Sequence, residues 1–92
     1  MRLDKFLKVS RLIKRRSVAK EVADQGRIDI NDKTAKSSSK VAVGDTVTIH
    51  YGNRTVVTRV EKLQDSTKKD DAAEMYTILD TIYKESDQSE LF

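Results

Sequence analysis

The first 27 residues carry Arg2, Lys5, Lys8, Arg11, Lys14, Arg15, Arg16, Lys20 and Arg27, against only Asp4, Glu21 and Asp24. Side chains of this kind bind phosphate. Arg forks onto two acceptors of a phosphate or a guanine edge, whereas Lys supplies a mobile point charge. A short helix ordinarily mixes charges on its polar face, so one that is overwhelmingly cationic implies a polyanion partner more than a solubility device. Arg16 stands out, because a helix start is where the helix dipole disfavours a cation. A cation placed against its local preference points to a ligand. Arg2 follows as the next candidate.

Other chemistries lack material. There is no Cys, and His50 is the only His, which excludes thiolate and His-rich metal sites. Asp29 and Asp32 flank a turn and read as turn residues. The sequence has no nucleophile elbow and no paired His and carboxylate. Its three Gly are all taken by turns, so nothing remains for a phosphate-cradling loop. The chain reads as a non-enzyme without a cofactor or metal.

The elements that position these cations follow from periodicity. Leu3, Phe6, Leu7, Ser10 and Ile13 follow a three-and-four spacing widened by Val9 and Leu12. This predicts a first helix capped by Asp4 and running to Leu12 or Ile13, with loss of the cap costing about 1 kcal/mol. Ser17 is the expected cap of a second helix through Gln25, with Gly26 ending it in a left-handed conformation. Arg15 and Arg16 then lie at the elbow of a helix pair.

From Arg27 the period changes to two. Ile28 and Ile30 alternate with polar residues, Asn31-Asp32 marks a turn, Lys36 to Lys40 is a polar loop, and Val43-Gly44-Asp45 is another turn. Thr46 to Tyr51 reads as a strand with Val47, Ile49 and Tyr51 on one face. Gly52-Asn53 suits a tight hairpin at positive φ, and Thr55 to Leu63 is the returning strand. Asp71 and Glu74 resemble a capping box opening a short third helix, with Met75, Ile78, Leu79 and Ile82 on one side. Residues from Glu85 onward are expected to be loose.

Charge divides the chain. Residues 1–64 hold 15 Lys/Arg and 7 Asp/Glu, a balance of +8, while residues 65–92 hold 3 and 8, a balance of −5. This pattern predicts a basic domain over residues 1–63 and an acidic extension over 64–92. No apolar run approaches the ~18 residues of a membrane span, so a soluble, cytoplasmic chain without a membrane partner is expected. Only Phe6, Tyr51, Tyr76, Tyr83 and Phe92 are aromatic, and the first two read as core. That shortage favours reading folded RNA by shape and backbone over base stacking.

Taken together, Arg2-Leu3-Asp4-Lys5-Phe6-Leu7, the cationic turn through Arg16, Ala19, Gly26-Arg27-Ile28, Ile30-Asn31 and Val43-Gly44-Asp45 resemble the S4 RNA-binding domain over residues 1–63. Two positions depart from its pattern: Arg15 stands where Ser or Thr is common, and Asp32 where Gly is. The resemblance implies an α+β fold of the S4 type (the αL motif). In it two N-terminal helices pack on a small, mostly antiparallel sheet, and a short C-terminal helix follows. It also implies an RNA-binding surface of Arg2, Lys5, Lys8, Arg11, Arg15, Arg16, Lys20, Arg27, Lys36 and Lys40. The opening LDKFL and the DAAEMYTIL segment are similar to stand-alone bacterial S4 proteins, namely the small heat-shock S4 group of the large ribosomal subunit and the RqcP group of ribosome-associated quality control. What that likeness implies is a monomer that binds large-subunit rRNA and peptidyl-tRNA. There it would steady the tRNA while an RqcH-type tailing factor adds alanines to a stalled chain. The alternative is an RNA chaperone or assembly factor on rRNA.

Overall fold

Apolar residues at helical spacing wind the start of the chain into α1, Leu3–Val9, with Leu3, Phe6 and Leu7 fully buried. The computed structural model describes residues 1–65 and 68–83. Helix α1 is shorter than its apolar stripe. It ends at Val9 because Ser10 folds its hydroxyl onto the Leu7 carbonyl at 3.2 Å and Arg11 turns left-handed at φ 62°. The Ile13 amide then donates to the Leu7 carbonyl at 3.1 Å, which returns Ile13 to the core outside the helix.

Asp4 is not the cap expected of it. It lies inside the first turn and is buried, and the role of the cap passes to distant backbone. The Ser39 carbonyl accepts from the Leu3 amide at 2.7 Å, and the Ser37 carbonyl accepts from the Asp4 amide at 3.2 Å. Two donors that a helix start leaves orphaned are thereby satisfied.

Helix α2, Arg16–Asp24, buries Ala19, Val22 and Ala23. Ser17 sits within it, and extended Arg15 occupies the cap position without a side-chain capping bond. Gly26 ends the helix at φ 79°, as expected. The Gly26 amide donates to Ala23 and the Arg27 amide to Val22, the paired bonds of a Schellman ending.

Among the described residues five strands follow: β1 (Ile28–Ile30), β2 (Lys33–Thr34), β3 (Thr46–His50), β4 (Arg54–Val60) and β5 (Tyr76–Tyr83). They form one sheet in the order β2-β1-β3-β4-β5, every neighbouring pair antiparallel. Val47 and Ile49 of β3 are buried, with Val56, Thr58 and Val60 of β4 on the same face, and both helices complete this core. The buried Thr58 hydroxyl donates to the Val47 carbonyl at 2.9 Å, so it costs no unpaired polar group. Asn31 and Asp32 take φ of 51° and 68°, the left-handed pair that a two-residue hairpin needs. Gly52 and Asn53 do not; neither is at positive φ, and residues 51–54 make a wider connection between paired His50 and Thr55. The returning strand β4 ends at Val60, short of Leu63.

The short C-terminal helix is present as α3, Lys69–Ala72, and tightens into a 3-10 turn, Ala73–Met75. Asp71 lies inside α3, and Lys68 holds the cap position without a side-chain bond. Met75 is fully buried, but Ile78, Leu79 and Ile82 belong to β5, not to a helix face. A bulge resets β5 midway: Val57 pairs with Asp80 and Thr58 with Ile78, leaving Leu79 as the extra residue. Tyr76, Ile78, Thr81 and Tyr83 therefore share the side of the sheet that faces the helices. The tail from Glu85 onward lies outside the described residues.

Candidate nucleic-acid interface

Asp4 organises the head of the basic surface. Its Oδ1 accepts from the Lys5 amide at 2.8 Å and from Arg2 Nε at 3.2 Å. Its Oδ2 accepts from an Arg2 terminal nitrogen at 3.4 Å and pairs with Arg16 Nε at 3.5 Å. Two guanidiniums thus share one carboxylate. The carboxylate side chain is only 4% exposed and both arginines 50%, so the charge excess faces solvent. No side chain caps α2, whose first residue is Arg16. Guanidiniums held in place by a shared carboxylate are suited to a phosphate backbone.

The loop over residues 36–41 brings two more candidates to this place. Arg2 and Lys40 form an antiparallel bridge, and the Val41 amide donates to the Met1 carbonyl at 2.8 Å. Ser39 Oγ accepts from the Lys36 amide at 2.9 Å, shaping the turn. Ser37 is buried, and its amide donates to Asp24 Oδ1 at 3.0 Å, which fastens the loop to the end of α2. That amide, together with the Ser37 hydroxyl and the Lys20 and Lys36 charges, holds the Asp24 carboxyl below its ordinary value of 3.8. Lys20 lies four residues after Arg16 on α2 and so extends the same face. Arg27 is half-buried at the start of β1. It and Lys36 each lie one residue beyond the bond from the Ala35 amide to the Ile28 carbonyl.

Not every candidate joins this cluster. Lys5 pairs with exposed Asp65 at 3.0 Å, and Lys8 projects into solvent from the last turn of α1. Arg11 and Arg15 lie in the connection between α1 and α2, Arg11 past the end of α1 and Arg15 directly before Arg16. There Tyr51 donates its hydroxyl to the Leu12 carbonyl at 3.1 Å, and Arg54 stacks over the Tyr51 ring at 4.8 Å. Arg54 is a cation that the reading of the sequence passed over; the Tyr51-Gly52-Asn53-Arg54 spacing across a hairpin is the one sign of it. Among the described residues, no group of three His, Cys, Asp or Glu side chains could hold a metal, and no helix is long and apolar enough to cross a membrane.

This geometry can be set beside known proteins. The family model of the S4 domain matches residues 1–47. The chain is similar to the RQC P-site tRNA stabilizing factor of Bacillus subtilis (strain 168), being 65% identical over 79 residues that cover 86% of this chain and 92% of that protein. The factor of the same name from Streptococcus pneumoniae is 60% identical, covering 86% of this chain and 90% of that one. Among solved structures, the trimeric heat shock protein 15 of Vibrio cholerae superposes with a TM-score of 0.77 at 29% identity, covering 85% of this chain and 80% of that chain.

Proposed function

This chain belongs to the S4 domain family, in the group of the RQC P-site tRNA stabilizing factors, and from that premise we infer that it is a non-catalytic RNA-binding factor that steadies P-site tRNA. The observation that carries this reading is the pair Arg2 and Arg16 on the buried Asp4 carboxylate, inside the matched S4 region. In this reading residues 1–63 grip rRNA of the large subunit and peptidyl-tRNA in the cytoplasm. The acidic residues 64–92 form an extension to that unit. The protein acts as a monomer beside an RqcH-type factor that adds alanines to the stalled chain. Lys5, Lys8, Arg11, Arg15, Lys20, Arg27, Lys36 and Lys40 supply further phosphate contacts around the Arg2–Arg16 pair.

The test is co-sedimentation of tagged protein with ribosomal particles, followed by sequencing of the tRNA recovered with it. Enrichment on large subunits that bear peptidyl-tRNA is expected. Arg16→Ala should abolish that association with the fold intact and lower the salt slope of binding by about one. The likeness to heat shock protein 15 favours a second reading, an rRNA chaperone or assembly factor. Binding to tRNA-free or immature particles would select it.

A further inference from the structure

The elbow between α1 and α2 forms a groove of about 430 Å³ lined by Arg11, Leu12, Ile13, Lys14, Arg15 and Val18. Its three cations are exposed, and Leu12 and Val18 are only half-buried beside the core residue Ile13. Among the described residues, none of Arg11, Lys14 and Arg15 pairs with a carboxylate. We propose that residues 84–92 of the same chain dock in this groove, acids on its cations and Leu91 and Phe92 on its apolar lining, and that RNA displaces them. The displacement rests on the RNA-binding reading above; the docking does not.

Position, charge and apolarity select this occupant. Arg11 and Leu12 also line an adjoining groove with Tyr83, the last described residue before the segment. The chain therefore passes into residue 84 beside the elbow, and nine further residues reach up to about 30 Å when extended. The segment holds Glu85, Asp87 and Glu90, so three acids are available to three cations. It also holds Leu91 and Phe92, which gain by leaving water. A phosphate strand would meet the cations but leave Leu12 and Val18 wet. A short tether also lets weak contacts suffice, because its effective concentration is on the order of millimolar.

Arg11 and Arg15 belong to the RNA surface proposed above, so the docked segment competes with RNA for them. An RNA that touches only the elbow must displace the segment for those contacts alone. One that also engages Arg2 and Arg16 on the Asp4 carboxylate gains contacts outside the groove. The segment therefore weakens partial engagement more than engagement of both places.

Carbodiimide, which joins a carboxylate to an amine it already touches, tests the docking on the full chain without RNA. Mass spectrometry should find Lys14 joined to Glu85, Asp87 or Glu90, beside Lys5–Asp65 and Lys62–Glu74 links that report ion pairs already formed. In a mixture of isotope-labelled and unlabelled protein, the Lys14 link should lie within one chain. The two control links without the Lys14 link overturn the docking, and a Lys14 link only between chains overturns it in favour of a second copy. A saturating RNA hairpin should suppress the Lys14 link; a link that persists overturns the displacement. Glu85→Gln with Asp87→Asn and Glu90→Gln should bind the hairpin roughly three- to tenfold tighter, as expected of three exposed ion pairs, and the gain should shrink as salt rises. The same charge change at exposed Asp70, Asp71 and Asp80, each to Asn, should gain less, and an equal gain overturns the competition. If the Lys14 link forms but neither parent nor variant binds the hairpin, the RNA-binding reading fails and the docking stands.

Discussion

At the head of α1, Arg2 and Arg16 are fixed by one buried carboxylate and flanked by a loop whose backbone is bonded to the helix start. Beyond the other end of the same helix, Arg11, Arg54 and the three tyrosines line an open groove. Both regions are cationic, but they differ in what they have already given up. The first has surrendered side-chain freedom in advance, so binding a phosphate there costs less ordering entropy. The second keeps apolar and aromatic surface exposed and gains by covering it. A rigid cation pair suits a regular backbone.

The sharpest way to break this contrast is Asp4→Ala. It removes the shared acceptor of Arg2, Arg16 and the Lys5 amide, and should cost about 2 kcal/mol, since bonds to a charged group are the stronger kind. That should lower Tm by about 10 °C. In urea titrations the groove variant Tyr83→Ala should stay near the parent, since Tyr83 is exposed.

A smaller effect sharpens the contrast through pH. The Asp24 carboxyl sits below its ordinary 3.8 chiefly because the Ser37 amide donates to it, so its ionised form is the one that favours folding. Its contribution is therefore complete above pH 3.8 and is lost as pH falls through the lower folded value. Asp24→Asn should flatten that part of the Tm-against-pH curve, and the groove variants should not. The smallest change is Lys5→Ala. It breaks only an exposed ion pair with Asp65 and should shift stability by less than about 0.5 kcal/mol.

The helix pair, the Gly26 ending and the β3–β4 pairing were legible because their periods are local. What the sequence could not display was the capping of α1, since the acceptors for Leu3 and Asp4 lie at Ser39 and Ser37. That is why Asp4 read as a cap when it is a buried anchor for two arginines. The ten candidate cations were visible as types, but their division between the head of α1 and the elbow depends on the fold. Strand β5 was misread for a definite reason. Met75, Ile78, Leu79 and Ile82 keep helical spacing, and the bulge at Leu79 breaks the alternation that would have declared a strand. The better sign was composition: Tyr76, Thr77, Ile78, Thr81, Ile82 and Tyr83 are β-branched or aromatic.

The backbone bonds from Ser37 and Ser39 to the start of α1 also order events in time. A helix of seven residues is too short to persist alone, since isolated helices below about 12–15 residues are marginal in water. During synthesis this segment must therefore wait until Ser39 has been made before its helix-start donors find their acceptors. During synthesis the cationic head is an unstructured basic strand, and it becomes a defined binding surface in the same step that closes the loop over it.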